Sequence, residues 1–322
     1  MIKEAAQMGD ARKKLDAAGL LWRSSFPLKN LCHWKIGGPA DFVVEPRSGA
    51  EVAAAREIAA DCGLPYLVIG HGSNMLFDDA GFRGMIIKLG SKFSKTRVDG
   101  KHVRAEAGIW VPALARMCAA KGLSGLEHAV GIPGNLGGLV FMNGGSMRKN
   151  IGDVVVSVEI LDECGNISVM PADKCEFSYR HSVFQHKNAI VLGAELSLAE
   201  SSAEEVRNAM LAVLKERKGK FPLSLPNCGS VFSNDSALYA SYGPPGMVID
   251  RAGLKGLRVG NARVSEVHAN FIVNLGGASS SDVFSLIRQV REKILERTGF
   301  TLRCEVRYAA PDGRCAPLDA FL

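Results

Sequence analysis

Two glycine-rich segments constrain this chain more than any other feature of its sequence. The first is Gly70-His-Gly-Ser-Asn74, and the second is Gly131-Ile-Pro-Gly-Asn-Leu-Gly-Gly138, which leads into Asn143-Gly-Gly-Ser146. Glycine lets backbone amides approach a phosphate group because no Cβ stands in the way. Two such loops favour a nucleotide-binding site, although tight strand corners in an α+β sheet remain the alternative. The G-x-G-x-x-G dinucleotide fingerprint is not met, since Met75 occupies its last position.

Length and composition indicate an ordinary soluble protein. With 322 residues, 47% of them hydrophobic and 22% charged, the chain favours a two-domain organisation with a sizeable core. No apolar run approaches the roughly 18 residues of a membrane helix. The first twenty residues mix charges instead of forming the apolar segment of a signal peptide. We therefore expect a cytoplasmic protein without a membrane partner.

Charge and cysteine patterns narrow the class of ligand. The net charge of +6 is moderate, and basic residues gather locally within 215–220 and 251–263. That distribution favours a small polyanion over nucleic acid. The eight cysteines contain no C-x-x-C pair and no histidine partner at zinc spacing. Reduced thiols and no metal site are expected.

Hydrophobic periodicity predicts a mixed α+β class. An N-terminal helical segment covers 1–21, and a mixed region follows over 22–200, with helices over 51–62 and 111–120 and antiparallel strands over 153–161, 166–170 and 189–198. A helix over 201–218 opens a second domain, 201–322. That domain is predicted to hold a polar loop over 222–245, a helix over 282–297 and strands near 271–275 and 301–308.

Three side chains could carry acid–base or anion-binding chemistry. Ser230 lies in a polar loop, where it is either a proton donor or an ordinary loop serine, and no G-x-S-x-G elbow surrounds it. Arg180 could hold a carboxylate through two hydrogen bonds, or it is simply a surface charge. Glu305 would share a strand face with Arg303 and Arg307, so a salt-bridged edge strand is the alternative to a catalytic role.

Eight motifs, in the same order along nearly the whole chain, strongly resemble the UDP-N-acetylenolpyruvoylglucosamine reductase family. They are Lys35-Ile-Gly-Gly-Pro-Ala-Asp41, Gly70-x-Gly-Ser-Asn74, Gly131-Ile-Pro-Gly-x-Leu-Gly-Gly138 with Met142-Asn143, Tyr179-Arg180-x-Ser182-x-Phe184, Gly229-Ser-Val-Phe232, Ala252-Gly-Leu-Lys-Gly256, His268-Ala-Asn-Phe-Ile272 and Glu305-Val-Arg307. The spacing after Arg180 resembles the branch of that family that lacks an inserted tyrosine loop.

The resemblance implies a flavoprotein that binds FAD non-covalently. Its FAD-binding domain would be of the vanillyl-alcohol-oxidase type, in two α+β subdomains over 22–200, and an α+β domain over 201–322 would bind the substrate. NADPH would reduce FAD, and the enolpyruvyl ether of UDP-N-acetylglucosamine would then be reduced to UDP-N-acetylmuramate for peptidoglycan. The partner is thus a small nucleotide sugar, and we expect a monomer or weak dimer.

The resemblance also implies a role for each motif residue. Arg180 would neutralise the substrate carboxylate, Glu305 would stabilise the enol-like intermediate, and Ser230 would protonate the carbanionic carbon. The residues expected to contact FAD are Gly70, His71, Gly72, Ser73, Asn74, Gly131, Ile132, Pro133, Gly134, Gly137, Gly138, Asn143 and Gly144. Those expected to contact the nucleotide sugar are Tyr179, Arg217, Lys220, Asn234, Lys255 and His268.

The chain departs from the family pattern at a few positions. Ser233-Asn234-Asp235 replaces the usual Lys-Asn-Pro, and Cys304 replaces the usual proline before the glutamate. Two alternatives therefore stay open. One is an FAD oxidoreductase of the same fold that acts on a related nucleotide sugar in surface-polysaccharide synthesis, and the other is a non-catalytic nucleotide-sugar binder.

Overall fold

The computed structural model describes residues 2–322, so Met1 of the predicted N-terminal segment lies outside the described residues. The helices are α1 Ile2–Ala17, α2 Gly49–Asp61, α3 Val111–Ala120, α4 Leu136–Phe141, α5 Ala203–Lys220, α6 Ser236–Tyr242, α7 Pro245–Arg251 and α8 Ser280–Thr298. The strands are β1 Trp22–Pro27, β2 Pro39–Val44, β3 Tyr66–Ile69, β4 Met75–Phe77, β5 Phe82–Lys88, β6 Thr96–Asp99, β7 His102–Glu106, β8 Leu123–Ser124, β9 Gly145–Ser146, β10 Lys149–Asn150, β11 Val155–Leu161, β12 Ile167–Pro171, β13 Ile190–Ser197, β14 Ala199–Glu200, β15 Arg258–Val259, β16 Ala262–Val264, β17 Ile272–Asn274, β18 Arg307–Ala309 and β19 Cys315–Pro317. The predicted α+β class is confirmed.

The chain forms two compact units. The first unit comprises Met1–Arg23, Val43–His71 and Met85–Arg217, and the second comprises Ser24–Phe42, Gly72–Gly84 and Lys218–Leu322. The chain therefore passes between the units five times, and one passage lies inside the first glycine segment, between His71 and Gly72.

The first unit is built around a five-stranded antiparallel sheet with the strand order β12-β11-β13-β7-β6. In a separate sheet with the order β1-β2-β5-β3, β3 pairs in parallel with β5, and Ile69 lies opposite Lys88. Helix α3 begins with Pro112 in its first turn, where the missing N–H costs no intrahelical bond. Its apolar stripe, which includes Leu114 and Cys118, is buried. Gly70 directly follows β3. Gly134, Leu136 and Gly137 of the second glycine segment form backbone hydrogen bonds with the chain that follows β7.

The second unit contains two small sheets and the long helix α8. One sheet has the order β15-β16-β17, and the other has the order β19-β18-β4, in which β18 and β4 are parallel. Helix α8 begins with a capping box formed by Ser279 and Asp282 and ends at Gly299, whose φ of 73° is left-handed. An apolar stripe that includes Val283, Leu286 and Ile287 anchors the helix in the core.

Two predictions for the second unit are wrong. The segment 301–308 is not one strand, because only Arg307–Ala309 forms β18 and the residues before it bond to distant loop segments. The alternation that placed Glu305 on one strand face with its neighbouring arginines therefore does not exist. The predicted loop 222–245 also contains α6, which Asp235 caps through Oδ1 by accepting from the amides of Ala237 and Leu238. Among the described residues, no helix is long and apolar enough to cross a membrane.

Candidate functional site

The second glycine segment lies against the chain that follows β7 in the first unit. The Val111 amide donates to the Gly134 carbonyl at 2.9 Å, and the Gly137 amide donates to the Ala107 carbonyl at 2.8 Å. A Cβ on Gly137 would lie 2.8 Å from the Ala107 Cβ, whereas a Cβ on Gly138 would meet no atom within 4 Å. Gly137 is thus required by packing, and Gly138 borders open space.

Asn135, which the sequence did not single out, joins the two glycine segments within the first unit. Its Nδ2 donates to the carbonyls of Leu89, at 3.1 Å, and Gly108. The Leu89 amide in turn donates to the carbonyl of Ile69, the residue before Gly70. A Cβ on Gly70 would lie 3.1 Å from the Asn135 Cβ, so the two segments are in direct contact. No local sequence signal indicates such a role, since an asparagine before a helix ordinarily predicts a cap.

Asn143 and the Tyr179–Arg180 turn form a second group in the first unit. Ser178 and His181 exchange backbone hydrogen bonds, and Arg180 at the tip of the turn has a left-handed φ of 54°. The buried Asn143 donates from Nδ2 to the Ser178 carbonyl at 2.8 Å. The guanidinium of Arg180 lies 5.3 Å from the Tyr179 ring centroid and donates to the Gly145 carbonyl at 3.3 Å. Three predicted site residues therefore lie together, with backbone strain at Arg180.

Arg217 lies across the start of the second glycine segment. A Cβ on Gly131 would lie 2.5 Å from the Arg217 Nε, so only glycine leaves room for this side chain. Arg217, which is predicted to contact the nucleotide sugar, thus lies against the second glycine segment, which is predicted to contact the cofactor.

His128 lies buried just before the second glycine segment. Neither ring nitrogen has a hydrogen-bond partner in the part of the chain that the structure describes, while the His128 carbonyl accepts from the Ser146 hydroxyl at 2.5 Å. Burial is the main cause that lowers the pKa of His128; Lys149 adds to the decrease, and Asp153 and Glu127 oppose it. The neutral imidazole is thus an integral part of the packing beneath the β9–β10 hairpin.

In the second unit, the remainder of the first glycine segment supports Glu305. The Asn74 side chain donates from Nδ2 to the Glu305 carbonyl at 3.1 Å, and the Arg307 amide donates to the Asn74 carbonyl at 3.1 Å. Gly72 has a left-handed φ of 64°, and a Cβ there would collide with the Leu31 carbonyl oxygen. Asn74, which is predicted to contact the cofactor, therefore holds the backbone of Glu305, which is predicted to be catalytic.

The Ser230 loop runs beside Glu305 in the same unit. The Glu305 amide donates to the carbonyl of Val231 at 2.8 Å, and Phe232 forms an antiparallel bridge with Cys304. Ser230 and Glu305 therefore belong to adjacent, hydrogen-bonded backbone segments. Arg180 belongs to the other unit.

Two asparagines fix the backbone on either side of Ser230. The buried Asn270 accepts from the Phe232 amide and donates to the Phe232 carbonyl, both at 2.9 Å. Asn227 accepts from the Gly229 amide at 3.0 Å, and Gly229 has a left-handed φ of 85°. Asn270 lies within one of the eight motifs, but its role could not be predicted from the sequence, because its partner Phe232 lies 38 residues away.

Around His268, the second unit gathers cationic and aromatic side chains. The His268 ring lies 5.5 Å from the Phe221 ring, centroid to centroid, and its Nδ1 accepts from the Asn270 amide at 3.2 Å. Burial is the main cause that lowers the pKa of His268, and the charges of Lys255 and Lys220 add to the decrease. With Nδ1 accepting, the neutral ring carries its proton on Nε2. The charges of Lys220 and Lys255 therefore act on His268, so these three predicted substrate residues are electrostatically linked.

Comparison with known proteins agrees with this architecture. Residues 40–170 match the model of an FAD binding domain, which makes the chain a flavoprotein and confirms the FAD prediction. Residues 221–309 match the UDP-N-acetylenolpyruvoylglucosamine reductase C-terminal domain.

Whole-chain similarities point to the same group of proteins. A UDP-N-acetylenolpyruvoylglucosamine reductase 1 of Corynebacterium glutamicum is 46% identical over 290 residues, which are 90% of this chain and 87% of the relative. A reductase of the same name from Rubrobacter xylanophilus is 42% identical over 282 residues, 87% of this chain and 93% of the relative. The crystal structure of the reductase from Thermus caldophilus has a TM-score of 0.76 and 34% identity, with coverage of 90% of this chain and 98% of that one. The chain belongs to the UDP-N-acetylenolpyruvoylglucosamine reductase family.

The residues present fit a flavin dinucleotide. Gly138 leaves open space beside a glycine-rich backbone, and Gly70 lies against the same loop through Asn135. Backbone amides without neighbouring Cβ atoms suit phosphate and ribityl groups, which need close approach.

Proposed function

We propose that this chain catalyses the NADPH-dependent, FAD-mediated reduction of UDP-N-acetylglucosamine enolpyruvate to UDP-N-acetylmuramate, a step in the synthesis of peptidoglycan precursors. The observation that carries the proposal is the pairing of the Ser230 and Glu305 backbone segments in a chain that belongs to this reductase family. An acid and a hydroxyl on adjacent segments suit a reaction that adds a hydride and then a proton to one alkene.

The cofactor is proposed to lie against both glycine segments, with Asn143 and Gly144 completing its contacts. When bound, FAD supplies two-electron transfer from NADPH to the enolpyruvyl alkene. The chain contributes close backbone approach at Gly138, and Asn135 connects the two loops through its contacts with Gly70 and Leu89.

Ser230 is proposed to donate its hydroxyl proton to the carbon next to the substrate carboxylate. Negative charge collects at that carbon and carboxylate after hydride addition to the distal alkene carbon. Glu305 would hydrogen-bond the enol-like intermediate, and Arg180 would neutralise the carboxylate. The clamp that Asn270 forms on Phe232 supports these roles, because a preorganised donor reorganises little during the reaction.

The nucleotide-sugar path is proposed to include Tyr179, Arg217, Lys220, Asn234, Lys255 and His268. Cationic side chains suit the diphosphate, and a neutral His268 with Nε2–H can donate to a sugar or phosphate oxygen. We further propose that the protein is cytoplasmic, acts as a monomer or weak dimer, and needs neither nucleic acid nor a membrane.

Stopped-flow kinetics of the Ser230→Ala variant test the proposal. Reduction of bound FAD by NADPH should stay nearly unchanged, and the reoxidation of FAD by the enolpyruvyl substrate should slow by about a hundredfold or more. Ser233→Ala is the matched control, since the Ser233 hydroxyl lies in the same loop and donates to the nearby Arg303 carbonyl at 3.3 Å. Equal impairment of both half-reactions in Ser230→Ala would remove the proton-donor role, and no reoxidation by this substrate in the parent would favour a related nucleotide sugar.

A further inference from the structure

The side chain of Asn135 donates hydrogen bonds to distant carbonyl groups and does not cap the helix that it precedes. Asn135 is the residue before α4, with extended backbone, yet its side chain makes no capping hydrogen bond to that helix. Instead, Nδ2 donates to the carbonyls of Leu89 and Gly108, two residues that follow β5 and β7. Two carbonyl acceptors fix the orientation of the carboxamide, since only the NH2 group can donate to both.

The other end of the carboxamide has no hydrogen-bond partner among residues 2–322. Asn135 is 4% exposed, and its buried Oδ1 accepts no hydrogen bond from that part of the chain. Among the described residues, the double donation from Nδ2 is the hydrogen bonding that holds this carboxamide in place.

The contacts of Asn135 connect the two glycine segments. Its backbone belongs to the second glycine segment, and its Cβ and Cγ pack on Gly70 of the first. Leu89, which accepts from Nδ2, donates its amide to the Ile69 carbonyl and so holds the strand that leads into Gly70. One carboxamide therefore connects the ends of β3, β5 and β7.

We propose that Asn135 is a positioning residue that sets the spacing between the two glycine segments and thereby the affinity for FAD. It acts through the loops and not through contact with the reacting atoms. This inference rests on the flavoprotein assignment and is independent of which nucleotide sugar is reduced.

The test compares Asn135→Asp with the parent protein after removal of FAD. Asp keeps the shape but replaces the donating NH2 by oxygen, which faces two carbonyls. Titration of the apoprotein with FAD, followed by quenching of flavin fluorescence at pH 8, should give a Kd about tenfold or more above that of the parent. As the pH falls, the buried carboxyl becomes protonated and can donate again, so the ratio of the two Kd values should decrease.

A matched control separates positioning from general stability. Asn274 is a buried asparagine of the second unit that donates to the Trp34 carbonyl and accepts from the amides of Gly276 and Ala278. Asn274→Asp should lower the Tm of the apoprotein and leave the Kd for FAD unchanged. If Asn135→Asp also lowers only the Tm, the residue is merely structural and the proposal is overturned.

Gly70→Ala provides a second route if Asn135→Asp fails to fold. The added methyl would point at the Asn135 Cβ at 3.1 Å, so the loops must move apart by a few tenths of an ångström. A severalfold increase in the Kd for FAD is expected. An unchanged Kd would show that loop spacing does not control flavin affinity and would overturn the proposal.

Discussion

Replacement of Gly138 by alanine separates what the fold requires from what the cofactor requires. Gly138 is the third residue of α4, and an added Cβ would meet no protein atom within 4 Å. Alanine is favoured over glycine inside a helix by about 0.5–1 kcal/mol, chiefly because glycine loses more backbone entropy on folding. The apoprotein of Gly138→Ala should therefore be slightly more stable than the parent, with a Tm about 1–3 °C higher.

The same methyl group should weaken FAD binding. It would fill the space through which phosphate or ribityl atoms approach the backbone, and a loss of about 1.4 kcal/mol or more corresponds to at least a tenfold increase in Kd. The assay combines thermal unfolding of the apoprotein with titration of FAD by fluorescence quenching. At a fixed concentration of FAD, the increase in Tm on FAD binding should be smaller for Gly138→Ala than for the parent, because the Kd of the variant is higher.

Gly137→Ala is the contrasting variant in the same helix. Its Cβ would lie 2.8 Å from the Ala107 Cβ, so the apoprotein itself should be destabilised. If Gly138→Ala binds FAD as tightly as the parent, the open space beside Gly138 does not belong to the cofactor site and the reasoning fails.

Three further predictions concern the loops around this site. Because the pKa of His128 lies below its ordinary value of 6.5, the unfolded chain binds the proton more readily, and the free energy of unfolding should fall as the pH drops below about 6.5. When the free energy of unfolding is measured with urea at several pH values between about 5 and 7.5, it should depend less on pH in His128→Phe than in the parent. An equal pH dependence in both proteins would exclude His128 as the origin. Met147 and Arg148 at the tip of the β9–β10 hairpin have left-handed φ values of 56° and 62°. Replacing them by Asn-Gly, which favours this backbone, should raise the free energy of unfolding by about 1–2 kcal/mol. Denaturant unfolding that shows no such increase would refute the inference that these two residues are strained. Gly131→Ala should displace Arg217 and raise KM for the nucleotide sugar, in addition to any increase in the Kd for FAD, and an unchanged KM would refute a role of Arg217 in the nucleotide-sugar path.

Elements with clear periodicity could be predicted from the sequence, and short or non-periodic ones could not. Helix α3 has the predicted bounds Val111–Ala120, and the antiparallel arrangement of β11, β12 and β13 is confirmed. Helices α4 and α6 are only six and seven residues long, too short for an apolar stripe to appear. The segment before β18 alternates like a strand, but long-range hydrogen bonds to Val231 and Asn74 determine its conformation.

The candidate site likewise has parts that could be predicted from the sequence and parts that could not. Motif resemblance identified the family and the cofactor, whereas residue types alone left Ser230, Arg180 and Glu305 with open alternatives. The supporting asparagines could not be predicted, because Asn135 contacts Leu89 across 46 positions and Asn270 contacts Phe232 across 38. Such contacts depend on topology, which neither periodicity nor local propensity specifies. The roles of the site residues therefore stay predictions, to be decided by the variants above.

The parallel pairing of β4 with β18 also affects how the protein is made. Met75 lies opposite Arg307, so β4 has left the ribosome more than two hundred residues before its partner is synthesised. The second unit draws on three separate stretches of chain, the last of which extends to Leu322. Pairing between such distant stretches closes a long loop and folds slowly. Until β18 is synthesised, β4 lacks this partner strand, and an unpaired strand edge is a site where a nascent chain can aggregate.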